Sequence, residues 1–181
     1  MHFKFHINVT DKDYLDYNIF WMLKSPYGKK QMMQYRVIFA LLVGAMSLIS
    51  LWGGGFTKDA FLGVIPYFIL LAIFQIGLGP FFVWILKGNM KALKKKGKMG
   101  YSPEAEMEFY DDSFVESTPT NKTEQSYASV ERISILADKV IYIHVNNVMS
   151  YIIPITCFDS KEQYHDFLEF IKTKCASIDT Y

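Results

Sequence analysis

Charge is missing from two long stretches of this chain. Charged residues make up 20% of its 181 positions, and the formal net charge is +1. Yet no Asp, Glu, Lys or Arg occurs from Val37 to Thr57, and none from Ala60 to Leu86. Only Lys58 and Asp59 interrupt. Cysteine is nearly absent as well. Cys157 and Cys175 are the only two, and their spacing matches no metal motif; in a cytoplasmic setting they read as reduced thiols. The four histidines (His2, His6, His144, His165) are scattered, with no ligand-like cluster. Gly53-Gly54-Gly55 lacks the Lys-Ser/Thr ending of a phosphate loop. Ser113, Ser117 and Ser126 sit in no nucleophile motif. Asp111 and Asp112 are adjacent acids, which suits a turn better than an acid–base pair. The expectation is therefore no catalytic residue, no metal site and no cofactor. Met1 to Asp13 is polar and lacks the short apolar core of a cleavable leader, so the first apolar run is expected to stay as an anchor.

The two uncharged runs are what the chain has instead. A helix needs roughly 20 apolar residues to cross a bilayer. Val37–Phe56 meets that length, and Ala60–Leu86 exceeds it. Pro66 and Pro80 are tolerable in a membrane helix whose neighbours satisfy the freed carbonyls. A soluble core able to bury both runs would need a far larger domain. The connector, Gly53 to Asp59, is short enough to force the two helices antiparallel. Lys24, Lys29, Lys30 and Arg36 precede the first run; Lys87, Lys91, Lys94, Lys95, Lys96 and Lys98 follow the second. This bias places both termini in the cytoplasm, and the six trailing lysines are expected to anchor on anionic headgroups rather than on nucleic acid. Gly44 with Ala45, and Ala72 with Gly77 and Gly79, offer small surfaces for helix contact. Gln75 is expected to bond the neighbouring helix.

The flanks read as soluble structure. Phe3, Phe5, Ile7 and Val9 alternate with polar residues, a strand period. Thr10 and Asp13 suit a helix start. The helix that follows carries Tyr14, Tyr17, Asn18, Trp21 and Met22 on one face, set either on the membrane surface or on the soluble domain, and ends at Ser25-Pro26-Tyr27-Gly28. Residues 1–35, 36–56, 60–86 and 100–181 make the expected segments. Within the last, Met107–Tyr110 and Phe114–Ser117 flank the Asp111-Asp112 turn, and Pro119–Lys122 form a second turn. Ile133–Ala137, Val140–Val145 and Met149–Ile155 read as strands, with turns at Asp138-Lys139 and Asn146-Asn147. His144 is expected on the solvent-facing side, and Pro154 at a strand end or edge. Ser160 and Gln163 cap a last helix whose core face is Tyr164, Phe167, Leu168 and Ile171. The fold class is α+β: a two-helix transmembrane hairpin plus a small antiparallel β domain closed by a C-terminal helix. The N-terminal strand is a candidate to join that sheet.

This arrangement resembles the YcxB-like family of bacterial membrane proteins. The resemblance rests on TDKDYLDYN (Thr10–Asn18), the tight double span, MEFYDDSFVES (Met107–Ser117), YASVERI (Tyr127–Ile133) and YIIPITCF (Tyr151–Phe158). It implies a pleckstrin-homology-like (PH-like) C-terminal module, an inner-membrane location and a binding or scaffolding role, with no catalytic residues to carry over. The leading expectation is a non-catalytic, membrane-anchored binding or regulatory module with a protein partner, in one version an immunity-type or envelope-associated protein. Tyr151, Ile153 and Ile155 are its candidate partner surface. Three alternatives stand beside it: a surface protein binding anionic lipid, a transporter or channel subunit, and an enzyme on lipid or peptidoglycan precursors. The lack of clustered acids, His or nucleophiles counts against the last.

Overall fold

The computed structural model describes residues 1–136, 139–146 and 149–181. Ala137, Asp138, Asn147 and Val148 lie outside the described residues, and with them parts of both expected hairpin turns. The chain divides into two units, Met1–Tyr17 with Gly97–Tyr181, and Asn18–Lys96.

In the first unit, strand β1 (Phe3–Asn8) pairs antiparallel with β2 (Glu104–Phe109), setting Phe3 opposite Phe109 and Asn8 opposite Glu104. The opening strand therefore does join the C-terminal sheet. Next come β3 (Ser113–Ser117) and β4 (Lys122–Ser126), and the sheet order is β1-β2-β3-β4. The second sheet holds β5 (Arg132–Leu136), β6 (Val140–His144) and β7 (Ser150–Pro154), in the order β7-β6-β5-β8. Its pairs are antiparallel except for β8 (Ile178–Thr180), which runs parallel to β5. Helix α4 (Lys161–Lys172) lies between β7 and β8 in the chain.

Alternation fixes which side chains meet. On β1 and β2, Phe5, Ile7, Met107 and Phe109 point inward, while Lys4, His6, Glu104 and Glu106 point to water. Phe114 meets Tyr151 edge-on at 5.0 Å, joining the two sheets. The buried face of α4 is Tyr164, Phe167, Leu168 and Ile171, the set its periodicity gives. Phe167 stands at the centre, with ring contacts to Phe3, Phe5, Phe109 and Phe158 at 4.8–5.5 Å. The cap of α4 differs slightly from a standard capping box. Ser160 Oγ accepts from the Gln163 amide, but the Gln163 side chain accepts from Asp159 N rather than from the cap residue.

Helix α1 (Asp11–Leu23) starts on a reciprocal cap: Thr10 N donates to Asp13 Oδ2 at 2.9 Å, and Asp13 N to Thr10 Oγ1 at 3.2 Å. Tyr17 packs on the second sheet, edge-on to Tyr142 at 5.1 Å, and donates to Ser150 Oγ at 2.8 Å. In the second unit α1 gives way at once to α2 (Pro26–Gly53). Ser25 supplies the turn: its hydroxyl donates to Trp21 O and accepts from Gly28 N. Ser-Pro thus ends one helix and begins the next, as proline at a first helical position does. Gly28 is required here, since a Cβ would lie 2.2 Å from Met22 O and 2.3 Å from Trp21 O.

Helices α2 and α3 (Lys58–Lys95) form an antiparallel pair through a four-residue link. Gly55 and Phe56 both take positive φ there, and Thr57 caps α3. Gln75 Nε2 donates to Arg36 O at 3.2 Å, Phe39 stacks on Phe74, and Tyr35 on Phe82. The expected small-residue seam is not the contact: space is open around Gly44, Gly77 and Gly79. Within the apolar runs the buried positions are instead Val43 and Ser47 on α2 and Val64 and Leu78 on α3. The helix α3 runs unbroken through Pro66 and Pro80.

Candidate functional site

The lysines that follow the second apolar run are carried by α3 itself. Lys87, Lys91, Lys94 and Lys95 lie within it, Lys96 caps it, and Lys98 comes after the Gly97 turn, in the other unit. Cations in a last turn also suit the partial negative charge of the helix end. Trp84, Lys87, Gly88, Lys91 and Lys95 follow the three- and four-residue spacing of a single helix face. No acid occurs between Asp59 and Glu104.

The Tyr151–Ile155 segment is a different matter. Tyr151 and Ile153 are buried in the core, at 5% and 0% exposure, and only Ile155 is half-buried, in a 3-10 turn after β7. Both faces of β7 are covered, since Ile152 and Pro154 are buried as well, and Tyr151 packs against Phe114 of the other sheet. Their side chains are not a partner surface. Burial also pushes the Tyr151 phenol up to about 12. Pro154 closes β7 at the sheet edge, where its missing N–H costs no ladder bond.

His144 is buried too, against the expectation of a solvent-facing strand position. Its Nδ1 lies 2.8 Å from Ser150 Oγ and its Nε2 3.0 Å from Ser134 Oγ. Tyr17 completes the chain through Ser150. The alternation was correct, but β6 is buried on both faces: Ile141 and Ile143 on one, Tyr142 and His144 on the other. Burial pushes the imidazole down to about 4, with the Arg132 charge adding to it. A neutral, buried His bonded to Ser134 of β5 and Ser150 of β7 ties three strands together.

Asp111 and Asp112 form a turn. His2 Nε2 pairs with Asp111 Oδ1 at 2.7 Å, which holds that carboxyl below its usual range. Lys174 donates to Asp111 O, and Tyr127 N donates to Asp112 O. Burial lifts the Cys157 thiol up to about 12, so little thiolate forms at neutral pH. Cys157 and Cys175 are unpaired. Among the described residues no three His, Cys, Asp or Glu side chains gather as a metal group.

Two helices, Pro26–Gly53 and Lys58–Lys95, are long and apolar enough to cross a membrane. Their most apolar stretches are only 11% and 6% buried by the rest of the protein. The class so defined is an α+β chain with two largely antiparallel sheets and two long, apolar, uncovered helices. Residues 109–171, from the end of β2 into α4, match the family model described as YcxB-like protein. That match covers β3 to β7 and nearly all of α4, about a third of the chain, and not β1, β8 or the helical pair. Neither a curated protein nor a solved structure matches the chain.

Proposed function

We propose that this chain is a membrane-anchored, non-catalytic binding module. Helices α2 and α3 span the bilayer as a hairpin, both termini lie in the cytoplasm, and the β module holds a protein partner at the inner leaflet. The observation that carries this is the uncovered apolar surface of α2 and α3. Trp52, Ile49, Ile73 and Ile76 are more than 60% exposed, and apolar surface on that scale needs lipid or protein to cover it. At about 1.5 Å per residue both helices exceed a hydrocarbon core of about 30 Å. The cation bias supports the orientation. Two sheets meeting over a shared core, with one helix following the seventh strand, support a PH-like module whose first strand is separated from the rest by the hairpin. A binding role fits such a module, since among the described residues no three His, Cys, Asp or Glu side chains gather and His144 is spent on hydrogen bonds between strands.

Cysteine labelling tests the topology. With Cys157 and Cys175 replaced by Ala, Thr57→Cys should react with a membrane-impermeant maleimide in intact cells. A cysteine at Ser102 should react only after permeabilisation. The reverse pattern, or extraction of the protein by alkaline carbonate, overturns the proposal. For the binding role, site-specific photo-crosslinkers on the outer face of the first sheet should capture one recurring protein. Capture of none from any position counts against a partner there.

A further inference from the structure

The surface of α3 is dented where its apolar length meets its lysines. Trp84, Ile85, Lys87, Gly88, Asn89 and Lys91 line a shallow cavity of about 400 Å³. Gly88 leaves the floor open, as a Cβ built there meets nothing within 4 Å. Trp84 stands one turn earlier on the same face and is 70% exposed. Lys87 and Lys91 flank the glycine on the charged side. The notch therefore has two halves of opposite character, an indole and an isoleucine toward the apolar run and two ammonium groups away from it. A free anion would use only the second half, and an apolar partner helix only the first. An amphiphile with an anionic head uses both. Indole rings favour the depth at which headgroups meet acyl chains, and lysines there attract anionic lipid. No acid lies between Asp59 and Glu104 in sequence to neutralise them locally.

We propose that this notch binds an anionic phospholipid, with its phosphate between Lys87 and Lys91 and the root of one acyl chain along Trp84 and Ile85. The proposal rests on the spanning arrangement above and goes beyond it. A diffuse collar of lysines attracts anionic lipid at large, whereas a notch holds one lipid at one place. Gly88 is what distinguishes them.

The test uses the full chain with Trp21→Phe and Trp52→Phe, so that Trp84 is the only fluorophore of its kind. The protein is reconstituted in phosphatidylcholine bilayers that carry, at equal mole fraction, brominated-chain phosphatidylglycerol or brominated-chain phosphatidylcholine. Bromine quenches an indole only at close range. Trp84 should prefer the anionic lipid by roughly fivefold or more, the weight of one interfacial lysine. Lys87→Gln with Lys91→Gln should bring the preference to near one. Gly88→Leu, which fills the dent and keeps both charges, should do the same. Equal quenching by the two lipids in the parent protein removes the notch and leaves the span standing. A preference that survives Gly88→Leu means a diffuse collar and also overturns the notch. Displacement by inorganic phosphate, against chloride at matched ionic strength, marks a free-anion site and overturns the lipid assignment. No quenching by either lipid overturns the spanning arrangement itself.

Discussion

Phe167→Ala should uncouple the two ends of the chain. Phe167 is fully buried, and its ring touches Phe3 and Phe5 from β1, Phe109 from β2, and Phe158 ahead of α4. Truncating a buried Phe costs about 3–5 kcal/mol, a large share of the 5–15 kcal/mol typical of a whole domain. Each 1.4 kcal/mol is tenfold in an opening equilibrium, so amide protection in β1 and β2 should fall by roughly two to four powers of ten. Hydrogen exchange with peptide-level readout in detergent micelles resolves this strand by strand. The matched control is Phe81→Ala: Phe81 sits on α3 and is 53% exposed. It removes the same atoms and should leave β1 and β2 unchanged. If Phe167→Ala lowers protection less than tenfold, α4 is not seated against β1. If Phe81→Ala does as much damage, the loss is not local to this core.

Gly28→Ala should severely destabilise the turn between α1 and α2, because its Cβ would strike two backbone carbonyls at the end of α1 that cannot rotate away. Gly44→Ala, in open space, should be neutral or gain up to about 1 kcal/mol of helix propensity; thermal melts by circular dichroism that rank the two the other way refute the tight turn. Acid should weaken the β module through His144. Its folded pKa is lowered from 6.5 to about 4, so the folded state binds fewer protons than the unfolded one between those values. That stability is present above pH 6.5 and is lost as pH falls toward 4, by up to about 3 kcal/mol. Urea midpoints should flatten over this window in His144→Gln, and an unchanged slope would reject the assignment. Thr10→Ala breaks the reciprocal cap of α1 and should cost about 1 kcal/mol in the same melts.

Sequence pattern carried the parts of this fold that repeat. The alternation of β1, the four core positions of α4 and the Thr10 cap are all local or periodic, and the bond of Gln75 to the other helix follows from a lone polar side chain in an apolar run. What escaped has no such signal. Strand β4 reads Lys-Thr-Glu-Gln-Ser and contains no apolar residue, so its period is invisible until β3 pairs with it. Strand β8 is three residues long and pairs in parallel with β5 across α4. His144 obeys the alternation, but only tertiary packing decides that both faces of β6 are covered. The expected glycine seam failed for a related reason: composition says a helix has a smooth side, not which side its neighbour occupies. The first helix begins earlier than residue 36 and the second ends later than residue 86, because Ser25 and Lys96 are the caps, whereas hydropathy stops at the last apolar residue; the first helix ends at Gly53, short of the expected Phe56. Toward the end of α3, Lys87 and Lys91 were visible as charges. The dent at Gly88 between them was not.

The pairing of β1 with β2 has a consequence for the order of synthesis. Asn8 is made before its partner Glu104, which follows 96 residues later by the difference of their numbers. At about 5–20 residues per second this leaves β1 waiting some 5–20 s without its neighbour. Both long helices are translated in that interval, so the first sheet cannot begin to form until the helical pair is complete. During the wait β1 is an open strand with three aromatic or aliphatic side chains on one face. Lys4, His6 and Asn8 on the other face give it the polar edge that discourages the wrong partner. The chain thus begins its module with a strand that only its own later half can close.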